Sequence, residues 1–241
     1  LIYGRNPIRE AIKAGRQLDK LFVVKDIDPS GMDITCRARE QGVPVVYVHR
    51  AKLDKLTAGA AHQGVAAFIA ARKYSELEDI LQIAREKGEP PFILIADGIE
   101  DPHNLGAIIR TAECAGMHGV IIRKRHACGL TSVVDKVSAG ALEHMAVARV
   151  NNIAAFIEDL KNQGIWIAGA DMAGDPVYNA NLKGALAIVV GAEGKGLSML
   201  VAQKCDFLIS LPQRGLVGSL NVSSAAAAII YEALRQRIFS Q

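Results

Sequence analysis

Several short segments in the C-terminal half of the chain are apolar at every position instead of alternating between apolar and polar residues. Two examples are Phe92-Ile-Leu-Ile-Ala96 and Ala185-Leu-Ala-Ile-Val-Val190. Such strands are typical of a parallel sheet that helices cover on both faces. The pattern predicts strands at 92–96, 119–122, 146–150, 165–168, 185–190 and 207–210, with helices at 105–115, 153–162 and 222–237. The sequence therefore predicts an α/β fold with a parallel sheet.

The first 72 residues carry a second, smaller pattern of short helices and strands. Helices are predicted at 8–14, 34–41 and 52–56, and strands at 21–24, 44–48 and 65–69. An acidic amphipathic helix at 74–87 follows, and the prolines of Gly88-Glu-Pro-Pro91 cannot continue it. We expect a three-layer α/β domain at 1–72, a linker helix at 73–90 and the parallel-sheet domain at 91–241. The alternative is one continuous domain with an internal helix.

Charge is distributed unevenly along the chain. The formal net charge is only +3, but residues 1–72 carry 12 Lys and Arg against 7 Asp and Glu. Residues 91–241 carry 13 of each. A basic surplus on a small domain favours a polyanionic partner such as RNA, although five charges are also compatible with an ordinary solvated surface.

The cysteines and the hydropathy pattern argue against a disulfide-bonded, a metal-binding and a membrane protein. The four cysteines are scattered, with no Cys-x-x-Cys pair and no histidine at ligand spacing: Cys36, Cys114, Cys128 and Cys205. We therefore expect reduced thiols, no metal site and a cytoplasmic protein. No apolar segment approaches the length of a membrane span, so we expect no membrane association.

A glycine-rich segment, Gly191-Ala-Glu-Gly-Lys-Gly196, directly follows the apolar strand 185–190. A turn between a strand and a helix presents backbone N–H groups to a ligand. The segment is not a Walker A loop, because Gly196 stands where Ser or Thr must contact magnesium, and its glycine spacing is not the dinucleotide fingerprint. The carboxylate of Glu193 favours a ligand site. The alternative is that the glycines merely allow a tight turn.

Two further segments place polar groups near predicted strand ends. In Asn104-Leu-Gly-Ala-Ile-Ile-Arg110, we expect Asn104 at the start of a helix, where it would be an ordinary N-cap. Arg110 follows two isoleucines, so we expect it to be largely buried and to need a partner, which is an anionic ligand, Glu113 or Asp97.

The last of these segments, 211–224, joins the strand 207–210 to the final helix and contains Ser219 and Asn221. These two residues either cap that helix or bind a ligand. The loop is longer than a cap requires, which favours the ligand.

Together, the three segments resemble the signature motifs of the SpoU/TrmH family of RNA ribose 2'-O-methyltransferases. The resemblance rests on residues in all three motifs: Asn104, Gly106 and Arg110; Gly191, Glu193, Gly194 and Gly196; and Pro212, Ser219, Leu220, Asn221 and Ser223. The segment from Tyr3-Gly-Arg-Asn-Pro-Ile8 to about residue 71 resembles the family's substrate-binding domain.

The resemblance implies a fold, a cofactor and a site. The expected fold is a C-terminal parallel-sheet α/β domain of the SPOUT type with a deep trefoil knot, preceded by a small α/β domain similar to ribosomal protein L30e. The expected cofactor is S-adenosyl-L-methionine, held at four positions: Gly191, Leu211, Leu220 and Ala170. The catalytic residues that the resemblance implies are Arg110, Asn104, Glu193, Ser219 and Asn221.

It also implies partners. We expect a homodimer through the C-terminal domain and an RNA substrate, and the resemblance is greatest to members that methylate a guanosine of 23S rRNA. The alternatives are a guanosine of tRNA and a catalytically inactive RNA-binding homologue. A guanidinium is always charged, so we interpret Arg110 as holding a phosphate and stabilising the developing alkoxide rather than as a base.

Overall fold

The computed structural model describes residues 1–16, 18–69, 73–216 and 218–239. Within them the strands are β1 (Ile2–Tyr3), β2 (Leu18–Val24), β3 (Val45–Val48), β4 (Val65–Ile69), β5 (Phe92–Asp97), β6 (Gly119–Arg123), β7 (Val147–Val150), β8 (Trp166–Pro176), β9 (Leu186–Gly191) and β10 (Phe207–Ser210). The helices are α1 (Arg5–Lys13), α2 (Pro29–Glu40), α3 (Arg50–Leu56), α4 (Leu77–Lys87), α5 (Pro102–Cys114), α6 (Ser132–Val137), α7 (Ile153–Asn162), α8 (Met199–Lys204) and α9 (Val222–Phe239). None of these helices is long and apolar enough to cross a membrane.

The chain divides into two compact units. The first comprises Leu1–Lys73 with Leu130–His144, and the second comprises Tyr74–Gly129 with Met145–Gln241. The predicted boundary at Arg72 lies outside the described residues. The predicted range 91–241 also contains Leu130–His144, which belongs to the first unit in the structure.

An ion pair and a histidine–carboxylate hydrogen bond hold this segment in the first unit. Arg16 Nη1 lies 2.7 Å from Glu143 Oε1, and His144 Nε2 lies 3.0 Å from Glu10 Oε2. The partners lie more than 100 positions apart in the sequence, so no local pattern indicates the contact.

The first unit is built on a four-stranded mixed sheet in the order β1-β4-β2-β3, in which β4 is antiparallel to β1 and β2, and β2 is parallel to β3. Side chains of α1 and α2, among them Ile8 and Ile34, pack with Leu21 on one face. Leu53 of α3 packs with Phe22 on the other face. Helices on both faces give the three layers that the sequence predicts.

The second unit is built on a six-stranded sheet in the order β10-β8-β9-β5-β6-β7, and every pair is parallel. Every residue of the two central strands, β5 and β9, is buried. The prediction of a parallel sheet from unalternating apolar segments is therefore confirmed.

The largest difference from the predicted strand bounds is in β8. β8 extends to Pro176 instead of ending at 168, and its register with β10 shifts between Leu208 and Ile209. Gly174 permits the irregular pairing, because a Cβ at this position would lie 2.4 Å from the carbonyl carbon of Leu208. The residues after 168 are partly polar, which is why periodicity does not reveal the extension.

Candidate active site

The carboxyl ends of β5 and β9 lie side by side, with Asp97 paired to Gly191 in the register. The buried carboxylate of Asp97 has its Oδ1 2.7 Å from Arg123 Nε at the end of β6. Its Oδ2 accepts hydrogen bonds from the hydroxyl and the N–H of Ser198, at 3.2 and 3.3 Å. Asp97 thus connects two strands to the residue that precedes α8.

Gly191-Ala-Glu-Gly-Lys-Gly196 forms a closed turn after β9, which we call the glycine turn. The N–H of Gly196 donates to the carbonyl of Ala192 at 2.8 Å, and the N–H of Ala192 donates back to the carbonyl of Gly196 at 3.1 Å. Gly194 and Gly196 have φ values of 74° and 66°, a region that favours glycine. A Cβ on Gly191 would lie 2.1 Å from the carbonyl carbon of Gly196, so the turn closes only around glycine at this position.

Three polar side chains from the three sequence segments form one hydrogen-bonded network. The Nδ2 of Asn104 donates to Glu193 Oε2 at 3.0 Å. The Nδ2 of Asn221 donates to Asn104 Oδ1 at 3.0 Å and lies 3.4 Å from Glu193 Oε1. Two amides therefore fix a carboxylate that is itself on the glycine turn.

The prediction that Asn104 is an N-cap is wrong. α5 begins at Pro102, and Asp101 is its N-cap, with a carboxylate that accepts the N–H of His103 at 2.9 Å. Asn104 lies within the first turn and is buried. Its amide is therefore available to Glu193 and Asn221 rather than engaged by the helix end.

Asn221 is the cap of the last helix and also a member of the polar network. Its Oδ1 accepts from the N–H and the hydroxyl of Ser223, at 2.9 and 2.6 Å, at the start of α9. Its Nδ2 is the donor to Asn104 and Glu193. One side chain thus caps the last helix and belongs to the polar network.

A cavity of about 520 Å³ opens beside the glycine turn. The four positions implied for the cofactor all line it: Ala170, Gly191, Leu211 and Leu220. Glu193 and Ser219 also line it, and apolar side chains of β10 and α9, including Ile209 and Ile229, form part of its wall.

Sequence analysis missed other residues of this cavity. Asp171 and Met172 line it because β8 continues past its predicted end, and Gln213 lines it from the loop before α9. No periodic or motif signal marks these three positions.

Arg110 lies apart from this cavity in a single chain. It is exposed on α5 and makes no hydrogen bond or ion pair with the described residues, so the predicted burial is wrong. Ile108 and Ile109 are fully buried, and Arg110 lies on the next position round the helix, which faces solvent. Asp97, one of its expected partners, pairs with Arg123 instead.

The thiol of Cys205 lies close to Gly169 of β8. Burial raises the pKa of the Cys205 thiol to about 12, so this cysteine is protonated at neutral pH and is not a thiolate nucleophile. The residues that the structure describes contain no group of three His, Cys, Asp or Glu side chains that could hold a metal ion.

Comparison with known proteins decides the family. Residues 91–231 match the SpoU rRNA methylase family, and residues 1–75 match the substrate-binding domain of RNA 2'-O ribose methyltransferases. The chain belongs to the SpoU rRNA methylase family. It is 47% identical to the TrmH family protein YacO of Bacillus subtilis, over 98% of this chain and 95% of that protein.

Other members agree with this placement. A TrmH family protein of Staphylococcus aureus is 45% identical over 98% of this chain and 96% of its own length. The crystal structure of the SpoU methyltransferase AviRb from Streptomyces viridochromogenes, in complex with AdoMet, superposes with a TM-score of 0.84 at 26% identity. That match covers 99% of this chain and 90% of AviRb. The SpoU methyltransferase fold of this RNA methyltransferase family is thereby established for the chain.

Proposed function

We propose that the protein transfers a methyl group from S-adenosyl-L-methionine to a ribose 2'-hydroxyl of RNA, at a guanosine of 23S rRNA. The single observation that carries the proposal is the convergence of the three sequence motifs at one sheet edge. Ala170, Gly191, Leu211 and Leu220 line one cavity there, and Glu193 of the same cavity is held by the amides of the other two motifs.

The cavity fits the cofactor in size and chemistry. Small-molecule sites commonly enclose about 300–1,000 Å³ and combine apolar walls with a few polar groups, as this cavity does. Gly191, Leu211 and Leu220 would hold the cofactor, and the bare backbone of the glycine turn permits close approach. When bound, the cofactor supplies an electrophilic methyl group. The AdoMet complex of AviRb supports this assignment.

The polar network orients the reacting sugar. Glu193 is exposed at the cavity, while both of its carboxylate oxygens are near amide donors of Asn104 and Asn221. A carboxylate in a fixed position accepts a hydrogen bond from a ribose hydroxyl with little loss of conformational entropy. Ser219, which lines the same cavity, is the second group that we assign to ribose orientation.

Arg110 stabilises negative charge. Its guanidinium is exposed, stays protonated and has no partner among the described residues, so it can bind the RNA phosphate and the developing alkoxide. Because it does not line the cavity of its own chain, we assign it to a site completed in a homodimer. Exposed apolar side chains of the C-terminal unit support such a contact: Leu216, Tyr231, Ile238 and Phe239.

The test is transfer of tritiated methyl groups to deproteinised bacterial ribosomal RNA and, separately, to transfer RNA. We expect label in a ribose-methylated guanosine of 23S rRNA, and none with Arg110→Ala. Label confined to transfer RNA would refute the substrate while leaving the reaction intact. Binding of S-adenosylmethionine without transfer to either RNA would instead identify an inactive homologue.

A further inference from the structure

A short basic loop follows β6 at the same edge of the sheet as the cavity. The loop consists of Lys124, Arg125 and His126, and all three side chains are exposed. We call it the basic loop. It follows directly from Arg123, whose own charge is taken up by Asp97.

The backbone of the basic loop is anchored at both ends. The N–H of Lys124 donates to the carbonyl of Val150 at 2.8 Å, and the carbonyl of Lys124 accepts from Arg149 Nη2 at 2.9 Å. Beyond the loop, the N–H of Cys128 donates to the carbonyl of Ile99 at 2.8 Å. These bonds define the position of the loop without using its own cationic side chains.

Those side chains are unpaired. Lys124, Arg125 and His126 make no side-chain hydrogen bond or ion pair with any residue that the structure describes. The neighbouring cations have partners of their own. The Cζ atom of Arg149 lies 4.6 Å from the centroid of the Tyr74 ring, and Arg123 forms an ion pair with Asp97. Adjacent like charges held in one anchored loop repel each other, and a polyanion relieves that repulsion.

The basic loop lies close to the glycine turn. Gly98 is between the two, because a Cβ on Gly98 would lie 3.7 Å from Ala192 Cβ and 3.9 Å from the carbonyl oxygen of His126. A nucleotide whose ribose is at the cavity therefore has neighbouring phosphates within the region of the basic loop.

We propose that the basic loop binds the phosphate backbone of the RNA substrate through Lys124 and Arg125, next to the cavity. The inference rests on the proposed function, because it requires RNA to reach this sheet edge. It assigns the contact to the C-terminal unit, although the excess of basic residues is in the first 72 residues. Phosphate contacts of this kind position the RNA without reading its sequence.

The experiment measures RNA affinity as a function of salt for the double variant Lys124→Ala/Arg125→Ala, with deproteinised total bacterial ribosomal RNA as the probe. Each neutralised phosphate contributes about 0.7–0.9 to the slope of log K against log salt concentration. We expect the slope to fall by about 1.4–1.8. If the variant and the wild type bind RNA equally at 1 M salt, this difference in slope makes the variant bind roughly 25- to 60-fold more weakly than the wild type at about 0.1 M salt.

The matched control is Lys87→Ala/Lys204→Ala, which removes two positive charges from α4 and α8 of the same unit. An equal loss of slope in this control would attribute the effect to net charge and overturn the proposal. An unchanged slope in the basic-loop variant would also overturn it. Affinity for S-adenosylmethionine, measured by calorimetry, should equal that of the wild type in both variants, which shows that the fold is intact.

The two proposals fail separately. If the wild type binds RNA but methylates none, the proposed reaction is wrong, while the salt slope still decides the role of the basic loop. If the wild type methylates RNA and the basic-loop variant binds it with an unaltered slope, the loop proposal alone is wrong. Absence of any RNA binding by the wild type contradicts both.

Discussion

The side-chain nitrogen of Asn221 lies 3.0 Å from Oδ1 of Asn104, although 117 positions separate the two residues. Both amides also contact the carboxylate of Glu193. Asn104 is on α5, Glu193 is on the glycine turn and Asn221 precedes α9, so this contact joins the three sequence motifs.

The first prediction concerns Asn104. Asn104→Asp removes the donor to Glu193 and places a second carboxylate about 3 Å from the first, where like charges repel. We expect a loss of about 1–3 kcal/mol in the free energy of unfolding and a large fall in methyl transfer. Thermal denaturation and the transfer assay measure the two effects. Asn179→Asp, at an exposed position, should change neither, and an equal effect there would contradict the explanation.

The second prediction concerns Arg110. Its side chain has no partner among the described residues, so Arg110→Ala should alter the free energy of unfolding by less than about 0.5 kcal/mol. Turnover should fall far more than affinity for S-adenosylmethionine. Arg110→Lys should not restore turnover, because an ammonium group cannot replace the planar fork of the guanidinium. Parallel losses of turnover and cofactor affinity would rule out the assigned role. The control variant is Arg85→Ala, which removes another exposed arginine from a helix of the same unit.

The third prediction concerns the glycine turn. Gly191→Ala would place a Cβ 2.1 Å from the backbone of Gly196, so the turn must open. We expect weaker binding of S-adenosylmethionine and a stability loss of about 1–3 kcal/mol, measured by calorimetry and denaturant unfolding. Gly215→Ala is the matched control, because a Cβ there meets no atom within 4 Å. If both variants bind the cofactor equally, the glycine turn has no part in the site.

The fourth prediction concerns pH. Burial is the main cause that lowers the pKa of His118 from its ordinary 6.5, and the positive charge of Lys87 adds to it. The neutral ring accepts the N–H of Phe92 on Nδ1 at 2.9 Å and contacts Glu89 through Nε2 at 3.1 Å.

Between the lowered pKa and 6.5 the unfolded chain binds more protons than the folded one, so stability rises with pH across this window. The contribution of His118 is thus fully present above pH 6.5 and is lost as the pH falls through the lowered value. Urea unfolding at a series of pH values should detect this loss. His118→Gln should remove that component of the pH dependence, whereas the exposed His103→Gln should retain it.

Elements with a strong periodic pattern could be predicted from the sequence. The strands Val65–Ile69 and Phe207–Ser210 and the helix Ile153–Asn162 have the predicted bounds. Their burial is set by local patterns, namely continuous apolar residues in strands and amphipathic spacing in the helix.

The predicted start of α5 at 105 was wrong, although the sequence contains the signal for the true start: Asp101 before Pro102 is a typical N-cap followed by proline at N1. The exposure of Arg110 could not be predicted, since two preceding isoleucines do not define which helical face the next residue occupies. The contacts of Asn104 with Glu193 and Asn221 span 89 and 117 positions. Only the family resemblance indicated that these residues belong together.

The double role of Asn221 has a consequence for how the protein assembles. Because one amide both caps α9 and restrains Glu193, unwinding the first turn of that helix also removes one of the two amide donors to the carboxylate. The hydrogen-bonded network of Asn104, Glu193 and Asn221 is thus complete only once the eighteen-residue helix α9 has docked. A nascent chain that has not yet formed α9 would present Asn104 and Glu193 without the amide of Asn221, so the proposed site would stay incomplete until this helix is in place.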